Sequence, residues 1–263
     1  IAVIAHLCDR IKSLIIIIST PQNTLSKQWI LEVQKLNIPT DEIIIADGTN
    51  HKWRVQLQQM LFKNGAGLAD HCMIFTTHNT ASSEDFTSLI QSRISPSTKV
   101  LFVGDEVHWL GAGQFRKALK PHYQYRIGLS ATPSRWFDDE GTEVLLNYFG
   151  NEHFVFSIHE ALTQFNPLTN RHFLVCYNYN ISKVSLNEEE SVNYKRITKR
   201  LVQLSSKIAD NSDAAESYRR LLEKRANVIK NAYSKYKELE RILDELQANK
   251  CLEDLIIFVS PQQ

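Results

Sequence analysis

The residues best placed to do chemistry stand at the end of an apolar run. Val100-Leu101-Phe102-Val103-Gly104 leads straight into Asp105-Glu106-Val107-His108. Two adjacent carboxylates and an imidazole delivered by a strand end suit a phosphate and metal site. One carboxylate holds Mg²⁺ through water while the next polarises an attacking water. Successive strand residues point to opposite faces, so both acids reach one cleft only where strand gives way to loop. Gly104 is expected to allow that bend. A plainer reading makes Asp105 and Glu106 first-turn acids that stabilise a following helix through its dipole. A second pattern favours chemistry. Tyr125-Arg126-Ile127-Gly128-Leu129 is another apolar strand, and it ends in Ser130-Ala131-Thr132-Pro133. Hydroxyls there can bond a carboxylate or imidazole on a neighbouring strand, and Pro133 prevents the strand from continuing.

Such groups need a rigid frame, and the apolar patterning supplies one. Runs of β-branched or aromatic residues recur at Leu14–Ser19, Ile43–Ala46, Cys72–Thr77, Val100–Gly104, Tyr125–Ser130 and Phe154–Ile158. Helix-compatible stretches lie between them, at Leu25–Leu36, Lys52–Lys63, Ser83–Gln91 and Gln114–Leu119. Near-continuous apolar strands alternating with helices predict an α/β fold, a parallel sheet with helices on both faces. In such sheets ligands sit at the carboxyl ends of the strands, where the acids and hydroxyls fall.

Beyond residue 158 the alternation stops. A strand is expected at His172–Tyr179, then a helical region. Ile197, Leu201, Leu204 and Ile208 form one stripe; Leu222, Ile229, Tyr236 and Leu243 form a second with a spacing of seven. Two helices packed as a hairpin are expected, broken at Asp210-Asn211-Ser212-Asp213. Leu255–Val259 then reads as the first strand of a further domain. From Lys195 to Lys235 there are 11 basic and 4 acidic side chains. That local excess is either a solvated helical surface or a nucleic-acid contact through Lys195, Arg196, Lys199 and Arg200.

Composition excludes several classes. The chain is 43% hydrophobic and 22% charged, which rules out disorder and fibrous repeats. Its net charge of +1 neither demands nor forbids a polyanionic partner, so only local charge is informative. Cys8, Cys72, Cys176 and Cys251 are too scattered for a zinc module or a disulfide framework. No apolar run approaches a membrane span and no signal peptide opens the chain. An intracellular, soluble, cytoplasmic protein is expected, with the nucleus left open and no membrane partner. Ile1–Leu7 reads as the middle of a helix, so the chain is expected to begin inside a larger protein.

Asp105-Glu106-Val107-His108, followed by Gly128-Leu129-Ser130-Ala131-Thr132-Pro133, resembles the DExH box and SAT motif of superfamily-two helicases and translocases. The resemblance is to the branch of XPB-like repair helicases and restriction-enzyme motors. Ser19-Thr20-Pro21 with Gln28-Trp29 is similar to the motif after that family's second strand. Phe75-Thr76-Thr77-His78 resembles its next strand-end motif, Arg135 with Asp138 the Arg-and-acid pattern after SAT, and Arg225–Lys235 the linker into the second motor domain. The resemblance implies a RecA-like ATPase core, followed by a helical hairpin linker, that couples ATP hydrolysis to movement on nucleic acid. It implies that Asp105 holds Mg²⁺ through water, Glu106 activates the attacking water and His108 relays nucleotide state. It assigns Ser130, Ala131 and Thr132 to coupling. Thr20, Pro21, Gln28, Thr77 and His78 are placed near the nucleic-acid backbone. Trp29, in helical spacing with Leu25, Val33 and Leu36, reads as core rather than as a base platform.

Residues 1–182 are thus expected to form a first RecA-like domain lacking its phosphate-loop segment. Residues 183–250 would be a basic helical linker, and 251–263 the start of a second RecA-like domain. The phosphate-cradling G-x-x-x-x-G-K-[ST] loop is not found in these residues, and Asn64-Gly65-Ala66-Gly67 is no substitute. The segment by itself is expected to turn over ATP negligibly. The expected activity is that of an ATP-dependent DNA helicase or translocase in repair or restriction, using ATP and Mg²⁺, with DNA favoured over RNA. The alternative is a degenerate helicase-like module that binds nucleic acid or protein without hydrolysis. A metal-dependent nuclease using Asp105, Glu106 and His108 is weaker, because Asp47 and Asp70 form no nuclease spacing with them.

Overall fold

Five consecutive aliphatic residues, Leu14 to Ile18, have no polar face, so a strand made from them must be covered on both sides. The computed structural model, which describes residues 1–132, 134–135, 138–150, 154–205, 212–249, 253 and 255–258, places them there. Strand β1 (Leu14–Thr20) is buried along its whole length, at the centre of a five-stranded sheet with β2 (Glu42–Ala46), β3 (His71–Thr77), β4 (Lys99–Asp105) and β5 (Tyr125–Leu129). The order is β2-β3-β1-β4-β5 and every pairing is parallel. This is the RecA-like α/β arrangement expected.

The period of two along each strand builds two separate cores. Ile15, Ile17, Ile74 and Phe102 face α3 (Trp53–Gly65) and α5 (Glu84–Arg93), meeting Leu57, Met60, Phe86 and Ile90. Ile16, Ile18, Met73 and Val103 face α1 (Ala2–Arg10) and α2 (Asn23–Lys35), meeting Ile4, Cys8 and Val33. The short α4 (His78–Ala81) follows β3 directly, and α6 (Asp139–Phe149) follows β5. From β1 the chain crosses to β2 on one side; from β4 it goes to β5 on the other. The crevice created by that reversal lies at the carboxyl ends of β1 and β4, where Ser19 and Gly104 are register partners.

Backbone packing divides the chain into residues 1–156 and 157–263. The second unit holds α7 (Ile158–Thr163), a two-residue ribbon β6 (Phe165–Asn166) with β7 (Arg171–His172), and α8 (Glu188–Ser205), α9 (Ser212–Lys230) and α10 (Tyr233–Ala248). Helices α8 and α9 pack together as the expected hairpin. Among the described residues, no helix is long and apolar enough to cross a membrane.

Several expected elements differ. Phe154–Phe156 forms no strand, and Ile158 begins a helix instead, because Ser157 and Glu160 close a reciprocal capping box. Of His172–Tyr179, only His172 joins a ladder, as part of an antiparallel rather than a buried pairing. Gln114–Leu119 is reduced to one 3₁₀ turn at Arg116–Ala118. The second helical stripe is split at Ala232, whose extended ψ of 127° interrupts the helix between α9 and α10. Leu255–Phe258 pairs with no strand among the described residues. Ile208, Asp210, Asn211 and Val259 lie outside them.

Candidate active site at the ends of two parallel strands

Asp105 closes β4 and Leu129 closes β5, and the two are register partners, so the acidic box and Ser130 emerge side by side. The turn into the cleft is made by Glu106, not Gly104. Glu106 lies in the left-handed region, φ 50° and ψ 51°, a conformation costly for a residue with a Cβ and concentrated at functional sites. Gly104 serves close packing. A Cβ on it would stand 2.8 Å from Val107 Cγ1 and 2.9 Å from Leu110 Cδ1, side chains of the turn that carries His108. Its register partner Gly128 is less tight but still close, since an added Cβ would meet the Phe149 ring at 3.1 Å. Phe149, from α6, thus packs over both strand ends through two missing side chains.

His108 joins the two strand ends. Its Nδ1 is 3.3 Å from Glu106 Oε2 and 3.3 Å from Ser130 Oγ. One nitrogen serves both neighbours: protonated, it donates toward the carboxylate and the hydroxyl; bare, it accepts from Ser130. Ser130 Oγ also accepts from the Thr132 backbone N–H at 3.1 Å, so the SAT segment folds back on its own hydroxyl. Ala131 and Thr132 are exposed beside it. Pro133 lies outside the described residues. Asp105 is held from two sides: Oδ1 accepts from the Glu106 N–H at 3.1 Å, and Oδ2 from Trp29 Nε1 at 2.9 Å. A cavity of about 240 Å³ opens beside it, lined by Gln28, Trp29, Glu32, Ile1 and Asp105.

Arg135 braces this constellation from behind. Its Nη1 donates to the His108 carbonyl and its Nε to Asp138 Oδ2 at 2.6 Å, while Asp138 caps α6 through the Gly141 N–H. The Arg135 guanidinium beside Asp138, with that backbone donor, holds the Asp138 carboxyl below its ordinary range.

The five residues assigned to nucleic acid separate by burial. Gln28 is exposed, and Pro21 and Thr77 are partly so. Thr20 is 0% exposed; its hydroxyl donates to the Gln22 carbonyl and meets Ser26 Oγ at 2.8 Å. His78, 2% exposed, bonds Ser19 Oγ through Nδ1 at 2.7 Å, and its buried Nε2 closes no hydrogen bond. Burial pushes the His78 pKa down to about 4, although the Asp105 and Glu106 backbone beside the ring pulls the other way. The side chains of Thr20 and His78 are thus buried: His78 ties the end of β3 to Ser19 of β1, while Thr20 ties the end of β1 to the start of α2. Thr77 caps α4 through its hydroxyl.

In the second unit, Arg196 and Arg200 of α8 and Lys224 of α9 line one groove of about 430 Å³, with Asn193 and Asn227 and no acid. No cluster of three or more His, Cys, Asp or Glu able to hold a metal occurs among the described residues.

A five-stranded parallel sheet flanked by helices, with acids and hydroxyls at the carboxyl ends of β1, β4 and β5, is a RecA-like α/β arrangement. The family model described as "Type III restriction enzyme, res subunit" matches residues 1–135, just over half of the chain. The chain belongs to that family, a group of helicase-like nucleic-acid motors within superfamily two. No curated protein matches the sequence. Among solved structures, a de novo designed protein determined by solution NMR aligns at 12% identity over 55% of this chain and 99% of its own, with a TM-score of 0.34. The Pyrococcus furiosus Hef helicase domain aligns at 15% identity over 86% of this chain, with a TM-score of 0.31. The chain covers 53% of that domain's length.

Sequence reasoning missed three participants. Trp29 packs against the core as expected, but its N–H also reaches Asp105, a contact that its helical spacing does not reveal. Phe149 carried no signal, because only the pairing of Gly104 with Gly128 makes room for it. Arg135 was noted for its spacing to Asp138, but its bond to the His108 carbonyl spans 27 residues.

Proposed function

We propose that this chain carries the first motor domain of an ATP-dependent DNA helicase or translocase, with residues 183–250 as its basic helical linker. The observation that supports the reading best is the single His108 nitrogen poised between Glu106 and Ser130. On this reading Glu106 is the water-activating acid and Ser130 the coupling hydroxyl, and because both bond one imidazole a change at the acid is felt on the next strand.

The donor set suits Mg²⁺ with nucleotide phosphates. Asp105 presents an unneutralised carboxylate, oriented by two neutral N–H donors and bordering an open cavity, which fits a water-mediated hold on a hard cation. Bound Mg²⁺ would supply charge neutralisation at the phosphates. Glu106 has His108 as its side-chain partner and is otherwise open, so its carboxylate is placed to orient a water and take its proton. His108 then reports the charge of Glu106 to Ser130, and Arg135 carries that displacement to α6. Nucleic acid runs past Pro21, Gln28 and Thr77, contacted at its backbone rather than its bases. DNA is favoured over RNA on the likeness to repair and restriction motors.

The test is ATP hydrolysis by the complete native polypeptide, with single-stranded DNA, duplex DNA or RNA, and with Glu106→Gln as the blank. The expected result is turnover stimulated by DNA and cut by about 10²-fold or more in Glu106→Gln, with nucleotide binding retained. No hydrolysis on any nucleic acid, from folded protein, would identify a binding module instead.

A further inference from the structure

Trp29 is 76 residues from Asp105 in sequence and sits on a different element, yet its Nε1–H donates to Asp105 Oδ2 at 2.9 Å. The indole nitrogen is a donor only and keeps its proton at every working pH, so this bond has one polarity throughout. Its ring is partly buried and packs against the core formed by α1, α2 and one face of the sheet. Packing therefore sets the donor's position, where a flexible lysine would search for it. The donor is also neutral. A guanidinium at the same place would orient Asp105 but compete with a cation for its charge, whereas an indole orients the carboxylate and leaves the charge available. The other oxygen, Oδ1, is taken by the Glu106 backbone, so the carboxylate is gripped once from its own loop and once from α2. Both Trp29 and Asp105 line the same cavity.

We propose that Trp29 is a positioning residue for metal binding: its N–H fixes the Asp105 carboxylate in the orientation that holds the divalent cation. This rests on the assignment of Asp105 to Mg²⁺. The experiment measures Mn²⁺ affinity by electron paramagnetic resonance in the complete polypeptide with a non-hydrolysable ATP analogue, so that no turnover is needed. Trp29→Phe removes the N–H and part of the ring. Replacement of Trp29 by benzothienylalanine exchanges only the N–H for sulfur and preserves the packing. Both are expected to weaken Mn²⁺ binding by about tenfold, with the thermal unfolding of the benzothienylalanine protein unchanged. In an Asp105→Ala background, Trp29→Phe is expected to cost nothing further, since the partner it acts through is gone. Wild-type Mn²⁺ affinity in the benzothienylalanine protein, with Asp105→Ala impaired, would overturn the proposal. So would an undiminished effect of Trp29→Phe in the Asp105→Ala background, because the ring would then act by packing alone. If Asp105→Ala itself binds Mn²⁺ normally, the proposal falls together with the metal assignment of Asp105.

Discussion

His78 illustrates how a single residue changes meaning once its surroundings are known. In sequence it follows Thr77 at a strand end, a place from which it could meet a nucleic-acid backbone. In the fold it is buried beneath Asp105 and Glu106, neutral, and bonded to Ser19. Its folded pKa of about 4 lies below the ordinary value of 6.5, so the unfolded chain binds the extra proton first. The associated stability is present above pH 6.5 and is lost as pH falls toward 4, by up to about 3 kcal/mol. Urea unfolding at pH 7 and pH 4.5 checks this. The loss on acidification should be smaller by about that amount in His78→Gln, and an equal loss in both proteins would show that other groups dominate the acid response. The placement of Asp105, Glu106 and Ser130 at adjoining strand ends was legible, because an acid or hydroxyl closing an apolar run stands out. Burial of a histidine does not, since any imidazole between apolar residues reads alike.

At the scale of elements, β4 and its following turn show how closely the acidic box is built. The sequence marks Gly104 as a hinge, but the bend falls one strand-end later, at Glu106, and Gly104 is there for space. Gly104→Ala is expected to force Val107 and Leu110 aside and destabilise the protein by about 1–3 kcal/mol. It should also lower ATP turnover in the full-length protein, because the displaced turn carries His108. Denaturant midpoints and hydrolysis rates measured on one preparation test both parts; a variant that loses stability but keeps wild-type turnover would separate the turn from the chemistry. The inner strands β1, β3 and β4 were readable because continuous apolar runs leave no alternative to burial on both faces. Phe154–Ile158 and His172–Tyr179 have comparable composition and form no such strands: Phe154 is 88% exposed, with no ladder to join. An apolar run becomes a strand only when a neighbouring edge accepts it, and that edge is not written in the run.

For the whole molecule, the expectation concerns coupling. His108 bonds Ser130 and its carbonyl accepts from Arg135, so Ser130 stands one imidazole away from Glu106, the acid proposed above for hydrolysis. In the complete protein, Ser130→Ala combined with Thr132→Ala is expected to reduce strand separation or translocation by at least about tenfold more than ATP hydrolysis. Parallel assays of the two activities decide it. Equal losses would place the hydroxyls in the hydrolytic site.

The sequence by itself determined the alternation of strand and helix, the central burial of Leu14–Ile18 and the presence of acids and hydroxyls at two strand ends. Hydrophobic period and chain punctuation are local properties, and these features depend on nothing else. Only the tertiary structure decided that Trp29 grips Asp105, that Glu106 takes the left-handed turn, that Phe149 packs over two facing glycines and that His78 and Thr20 are sealed away. The first of these depends on the strand order β2-β3-β1-β4-β5, which brings β1 beside β4 across some 85 residues of chain. A pairing at that distance is chosen by the total burial of the folded sheet, and no local segment carries it.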